Sequence, residues 1–389
     1  MAQPLAGLRI ADFSHVIAGP LATQFLCLLG AEVIKVEPPQ GDAMRYYTRD
    51  PERRGMAEPF IGANAGKKSV ILDLKTDEGR VAAQAIIAQS DVFVENFRPS
   101  VAERLGLGSA ALLEANPGLI CCSVSGFGQA GPMRDFPAID QVIQSVSGLM
   151  TLTGSPGNEK PLRVGFPIVD TYCALLTAFA ILAAVTQKRA DPEGKGQVID
   201  VSMLDATMVM MSSVIGAMLI NGTPPIRSGN RGFSGAPTAD TFACADGQIT
   251  IGAVQQVQVE RLMASLGCEA LLEDDRFATP DARMQNDTAL QEALSPYFAA
   301  EKSDELEAKL AAAGVPAGKV RSTVEALDLE QLQGRELFID VPVGDGRAEI
   351  LNAGFRFAHD GPGHGRGAPG LGEHTDEVLA ALGLRPAAE

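Results

Sequence analysis

Apolar positions in the first third of the chain follow two alternating rhythms. Leu8–Phe13, Glu32–Glu37, Ser69–Leu74, Asp91–Phe97 and Leu119–Gly126 are short β-rich runs, and Leu21–Leu29 and Glu78–Ala88 between them carry helical spacing. Strands separated by helices predict a parallel, doubly wound α/β sheet. A long apolar helix over Thr171–Lys188 follows, then a strand over Gly196–Met203 and a second long helix over Ala206–Ile220. Periodicity is lost at Asn221–Pro237, where Gly, Pro and Ser crowd together, which predicts a linker. Beyond it, Thr241–Ala253 reads as a hairpin turning at Asp246 and Gly247, and helical patterns cover Val257–Leu266, Ala282–Phe298 and Ser303–Ala313, so a smaller α+β domain is expected. From Arg335 the chain returns to short strands and glycine-rich loops, and it closes on a helix at Thr375–Leu382.

The chain has 389 residues, enough for two or three domains. Lys and Arg number 32 against 48 Asp and Glu, a net charge of −16, which argues against a nucleic-acid footprint or a polybasic membrane anchor. The deficit is uneven. From Gly41 to Arg104 ten basic residues balance ten acidic ones, so any phosphate-bearing ligand is expected to meet this part of the chain. Six cysteines without a CxxC read as buried thiols, and with no secretory pattern at the start the expected compartment is the cytoplasm. Neither apolar stretch reads as membrane-spanning: Cys173–Val185 is too short, and Met208–Ile220 is interrupted by Ser212, Ser213 and Gly216.

Several chemistries are disfavoured by what is missing. The first strand–loop–helix reads FSHVIAGPLAT, with Gly19 alone where a GxGxxG fingerprint would stand, so a dinucleotide is not expected. His15, His359, His364 and His374 are dispersed, HExxH and GxSxG are absent, and no metal site is predicted. Asp170 differs from these, because it stands between a short extended run and a strongly apolar helix. Two readings of it remain open: an N-cap accepting a helix N–H, or a carboxylate nucleophile made reactive in a dry setting at a helix N-terminus.

The segments DFSHVIAGP, LGAEVIKVEPPQGDAMR, NAGKKSVILDLK, DVFVENFRPSVAERLG, SVSGFGQAGP, FPIVD, GKGQVIDVSMLDA, ADGQITIGA and GEHTDEVL, in this order along nearly the whole chain, closely resemble the family III CoA-transferases, the CaiB/BaiF group. The resemblance implies that Asp170 is the nucleophile that becomes acylated. It also implies that His15, Leu72, Lys75, Asn96, Phe97 and Arg104 contact CoA, which enters with its acyl group as a substrate and not as a tightly bound cofactor. The implied fold is a Rossmann-like large domain from residues 1–220 and 329–389, a linker at 221–238 and a small domain at 239–328, assembled as an interlocked homodimer.

Two departures refine the expectation. The related α-methylacyl-CoA racemases look to need a His just before an Asp after the GFGQ run. Here Ile139 precedes Asp140, and an aliphatic side chain cannot carry a proton. Formyl-CoA:oxalate transferases look to carry a Gln in the first loop and a glycine run before the small domain, where this chain has Ile17 and Arg231–Pro237. Ile17, Ile139 and Asp140 are therefore expected to shape the substrate pocket of a transferase that passes CoA from succinyl-CoA to a C4–C6 acid. A racemase-like isomerase and a non-catalytic CoA-binding relative are the alternatives.

Overall fold

Six short strands with buried residues on both faces set the large unit. In a computed structural model, which describes residues 3–157 and 160–384, β1 (Arg9–Asp12), β2 (Glu32–Glu37), β3 (Lys68–Ile71), β4 (Val92–Glu95), β5 (Ile120–Ser125) and β6 (Val198–Ser202) form one parallel sheet in the order β3-β2-β1-β4-β5-β6. Alternate residues go to opposite faces. Ile10, Val33, Val92, Val94, Ile120 and Cys122 pack under α1 (Ala18–Leu28), whereas Ala11, Phe13, Ile34, Val36, Val70 and Phe93 pack with Ala83, Ile86 and Ile87 of α2 (Asp77–Ala88). Covered faces explain why the strands read as near-continuous apolar runs.

On the α1 side lie α3 (Asp140–Val146), α4 (Ile168–Ala190), α5 (Met203–Met210) and α6 (Ser212–Asn221). The second long helix expected from the sequence is in fact two, bent by 82° at Met211. At 23 residues α4 is long and apolar enough to cross a membrane by length and composition, so the sequence-based view of this stretch as too short is corrected. In this fold Cys173, Ala174, Ala178 and Ile181 of α4 belong to the same core as α1, while Leu175 and Phe179 are 56% and 67% exposed.

The chain clusters into two compact units. One comprises Met1–Met150, Arg163–Thr223 and Glu330–Glu389, and the other Thr151–Leu162 and Pro224–Leu329. This differs from the sequence-based boundaries: Thr151–Leu162 joins the smaller unit, and most of the segment read as a linker is part of it, tied by the Gly232 N–H donating to the Ala239 carbonyl at 2.7 Å. The smaller unit has an antiparallel sheet of β7 (Thr241–Cys244), β8 (Gly247–Ile251) and β9 (Ala317–Lys319), with α7 (Gln256–Leu266), α8 (Asp287–Ala300) and α9 (Ser303–Ala312) around one core. The helical pattern read across Ala282–Phe298 breaks at Asn286.

The C-terminal part returns to the large unit with a hairpin, β10 (Phe338–Val343) and β11 (Gly346–Leu351), and α10 (Thr375–Ala381). It closes the free edge of β3. The Ser69 carbonyl accepts the His374 N–H at 2.9 Å, Thr375 Oγ1 accepts the Ile71 N–H at 3.0 Å, and Val378 and Leu379 join the α2-side core.

Candidate active site

In an open parallel sheet, ligands bind beyond the carboxyl ends of the strands where the order reverses, and here that point lies between β1 and β4. The two loops that leave those strands are joined there. Asn96 Oδ1 accepts the His15 N–H and Asn96 Nδ2 donates to the His15 carbonyl, both at 2.8 Å. Glu95 fixes the same loop by accepting the Phe97 N–H at 2.7 Å.

Val16 next to His15 has φ +69°, a left-handed conformation that is costly for a β-branched residue. Its N–H donates to both oxygens of Asp42 at 3.2 Å, and the Lys35 ammonium bonds Asp42 at 2.9 Å and the Ser14 carbonyl at 2.8 Å, so this buried pair holds the turn. Burial alone would raise the Asp42 pKa, but the His15 contact and the Lys35 charge outweigh it and keep the carboxyl well below its ordinary range. A second buried pair lies deeper: Lys67 Nζ contacts Asp12 at 3.0 Å, Thr23 Oγ1 at 2.7 Å and Asn64 Oδ1 at 2.9 Å. Neither pair could be read from the sequence: Lys67 and Asp12 lie 55 residues apart, and Lys35 and Asp42, though close in sequence, meet only because the chain turns back after β2.

A cavity of about 830 Å³ opens at this point, and His15, Ile17, Asn96, Phe97, Ile139, Asp140 and Asp170 all line it. Three other residues singled out from the sequence do not. Leu72 is buried in the core at the end of β3, and Lys75 and Arg104 are exposed on the segments after β3 and β4. Arg98, one of the ten basic residues of the Gly41–Arg104 segment, supplies the cationic part of the wall together with Arg134 and Arg163, which sequence reasoning did not single out.

Asp170 does not cap its helix. The N-cap of α4 is Pro167, and the amides of Val169 and Asp170 donate to Asp140 Oδ2, at 2.8 and 3.2 Å. Asp140 heads α3 and is held in turn by Gln144 Nε2, which donates to its Oδ1 at 2.6 Å. The capping carboxylate thus comes from another helix, and among the described residues the Asp170 carboxylate accepts no hydrogen bond. Burial, and then the Asp140 charge, push the Asp170 carboxyl up to about 7. A partly dehydrated carboxylate without hydrogen-bond donors is a stronger nucleophile than a solvated one. Ile139 is 57% exposed at the wall and offers no proton-transfer group beside Asp140.

Residues 5–375 match the family model described as CoA-transferase family III. This chain belongs to that family. The transferase is 34% identical over 392 residues to a succinate–glutarate CoA-transferase of Agrobacterium fabrum, an alignment covering 97% of this chain and 96% of the relative. It is also 34% identical, over 384 residues, to a succinyl-CoA–D-citramalate CoA-transferase of Chloroflexus aurantiacus, covering 98% and 94%. A CaiB/BaiF family protein from Brucella suis of known crystal structure superposes on this CoA-transferase with a TM-score of 0.88 at 34% identity, over 98% of this chain and all of the other. CoA thioesters are the substrates of such enzymes.

Proposed function

We propose that the enzyme transfers CoA from succinyl-CoA to a C4–C6 carboxylic acid, with Asp170 as the covalent carrier. The observation that carries this reading is the Asp170 carboxylate, at the cavity wall, free of hydrogen-bond donors and raised in pKa, with its own helix amides occupied by Asp140. The activities of the relatives, with succinate, glutarate and D-citramalate, support small acids of this size.

The steps balance as an exchange of acyl groups. Asp170 attacks the donor thioester carbonyl, the C–S bond breaks, and CoA thiolate leaves behind a mixed anhydride. The thiolate then attacks the aspartyl carbonyl and expels the donor as a carboxylate, so the thioester bond is stored on Asp170. An acceptor carboxylate attacks that thioester, releases the thiolate and forms a second anhydride. Thiolate attack on the acceptor acyl carbon gives the new acyl-CoA and regenerates Asp170. Ile17 and Ile139 would keep water from the anhydride, and Asp140 would hold the turn that carries the nucleophile.

Lys75 and Arg104 would meet the CoA phosphates, since both are exposed and neither makes an ion pair among the described residues. His15, Asn96 and Phe97, which line the cavity, would border the rest of CoA, whereas the side chain of Leu72 is buried in the core and would not. The exposed apolar side chains of Leu175 and Phe179 on α4 and of Leu219 and Ile220 on α6 support an interlocked homodimer that buries them. The free cysteines fit a reducing compartment such as the cytoplasm.

The test is a mass-spectrometric screen of carboxylic acids against succinyl-CoA and acetyl-CoA, reading out new acyl-CoA. Hydroxylamine trapping of enzyme incubated with acyl-CoA should modify the peptide that contains Asp170. No new acyl-CoA with any acid, or trapping at another carboxylate, would overturn the proposal.

A further inference from the structure

We infer that Arg163 sets acceptor specificity by holding the distal carboxylate of a dicarboxylic acid while the other carboxylate reacts at Asp170. The inference rests on the transferase reading above. Arg163 and Asp170 both line the 830 Å³ cavity, and the segment between them is tied at two places to one helix. Asp140 takes the Val169 and Asp170 amides, and Gln144 Oε1 takes the Val164 N–H at 2.8 Å. Asp140 and Gln144 are four residues apart on α3 and bonded to each other, and Gln144 is fully buried. The nucleophile and the residue beside Val164 are therefore mounted on the same rigid turn.

Of the three arginines on the wall, Arg163, exposed at the cavity rim, makes no ion pair among the described residues and, unlike Arg98 and Arg134, does not border a second, acid-lined cavity. Arg134 donates to Ser100 Oγ at 2.7 Å and lies 3.5 Å from Asp135. Arg98 and Arg134 also border a second cavity, of about 320 Å³, whose wall carries Glu95, Glu103 and Asp200. Arg163 does not border that cavity. Among the described residues it makes no ion pair, and its guanidinium donates only to the neighbouring Val164 carbonyl at 3.1 Å.

Charge accounting across the reaction gives this a purpose. The acids on the cavity wall are Asp140 and Asp170. Asp140 is committed to two amides and Gln144, and once Asp170 is a thioester it carries no charge. When the acceptor enters, the exposed Arg163 guanidinium thus has no protein carboxylate paired with it and is open to one from the acceptor. The second carboxylate of a diacid supplies it, and a planar guanidinium suits a carboxylate geometrically. A monocarboxylate of equal length would leave the cation unmatched.

The experiment compares glutarate with pentanoate as acceptors, with succinyl-CoA as donor. Because the donor acid leaves before the acceptor enters, kcat/KM for the acceptor reports only the second half-reaction, and any effect of Arg163 on the donor drops out of the ratio. Wild type should prefer glutarate. Arg163→Gln should cut the glutarate-to-pentanoate ratio of kcat/KM at least tenfold, mainly through a higher KM for glutarate, and Arg163→Lys should restore part of it. A ratio within twofold of wild type in Arg163→Gln, an equal loss for both acids, or a wild type without preference for glutarate would overturn the inference. Transfer by wild type to neither of these acids nor to any other acid of the screen would instead sink the proposed transfer on which the inference rests.

Discussion

Replacing Asp170 by Asn tests the nucleophile and its electrostatic setting with one isosteric change. The carboxyl titrates at 3.8 in an unfolded chain and at about 7 in the folded protein, so between these values the folded state holds a proton that the unfolded state has lost. Stability therefore falls as pH rises through this interval and levels off above about 7. At ~1.4 kcal/mol per unit, the ionised group costs on the order of 4 kcal/mol at pH 8 and about 1.5 kcal/mol at pH 5, before partial solvent access to this half-buried side chain reduces both. Asn carries no such cost. With ~2.1 cal/mol/K of unfolding entropy per residue and 389 residues, each kcal/mol shifts Tm by roughly 1 °C. The Tm advantage of Asp170→Asn over wild type should then be about 2–3 °C larger at pH 8 than at pH 5, by scanning calorimetry in matched buffers. In the same protein, CoA transfer should fall at least ~10³-fold, as when a residue acting as the nucleophile is removed. An advantage equal at the two pH values would refute the buried-carboxylate argument, and turnover within tenfold of wild type would refute the mechanism.

Asp140→Asn keeps an oxygen for the α4 amides but removes the adjacent charge. The rise of kcat/KM for acyl-CoA through about pH 7 should move to lower pH, whereas Asp140→Ala should in addition lose about 1–2 kcal/mol of stability in urea titrations. Asn96→Ala leaves the His15 N–H and carbonyl without their partner, so a loss of about 1–3 kcal/mol and a raised KM for acyl-CoA are expected from denaturation and initial rates. Lys67→Met strands the buried Asp12 carboxylate and should cost about 3–5 kcal/mol by chemical denaturation; a neutral result would mean the pair is not buried in solution. Lys75→Ala and Arg104→Ala should weaken CoA binding more than acceptor binding in calorimetric titrations, with the loss shrinking as salt is raised.

What could be read in advance followed the range over which each feature is encoded. Every strand of the large sheet was legible to within a few residues, because burial on both faces leaves an unbroken run such as VFVE or ICCSVS that nothing distant needs to explain. The bend at Met211 was not, although Ser212 and Ser213 stand beside it: two serines in an otherwise apolar helical pattern do not by themselves say that the helix ends there. The site divides in the same way. His15, Ile17, Asn96, Phe97, Ile139, Asp140 and Asp170 were all singled out and all meet at one cavity, yet the inference that Asp170 could be a cap failed for a reason no local window contains. Its amides are claimed by a carboxylate 30 residues upstream. Arg163 went unnoticed because nothing local marks a lone arginine between Leu162 and Val164 as part of a site, and the Gln144 bond that pins its neighbour comes from another helix.

The seam along β3 gives the order in which the protein can be made. A nascent chain has produced all six strands of the catalytic sheet by Ser202, and the residues of the smaller unit are complete at Leu329. The groups that cover the outer edge of β3, at His374 and Thr375, and the side chains of Val378 and Leu379 that seal the face beside it emerge from the ribosome only after the smaller unit. Until then the sheet displays an open edge able to pair with another chain. The segment from His374 to Leu379 acts as a late seal: a chain cut short before His374 would already carry Asp170 and its cavity, yet would be left with the adhesive edge that this segment keeps covered.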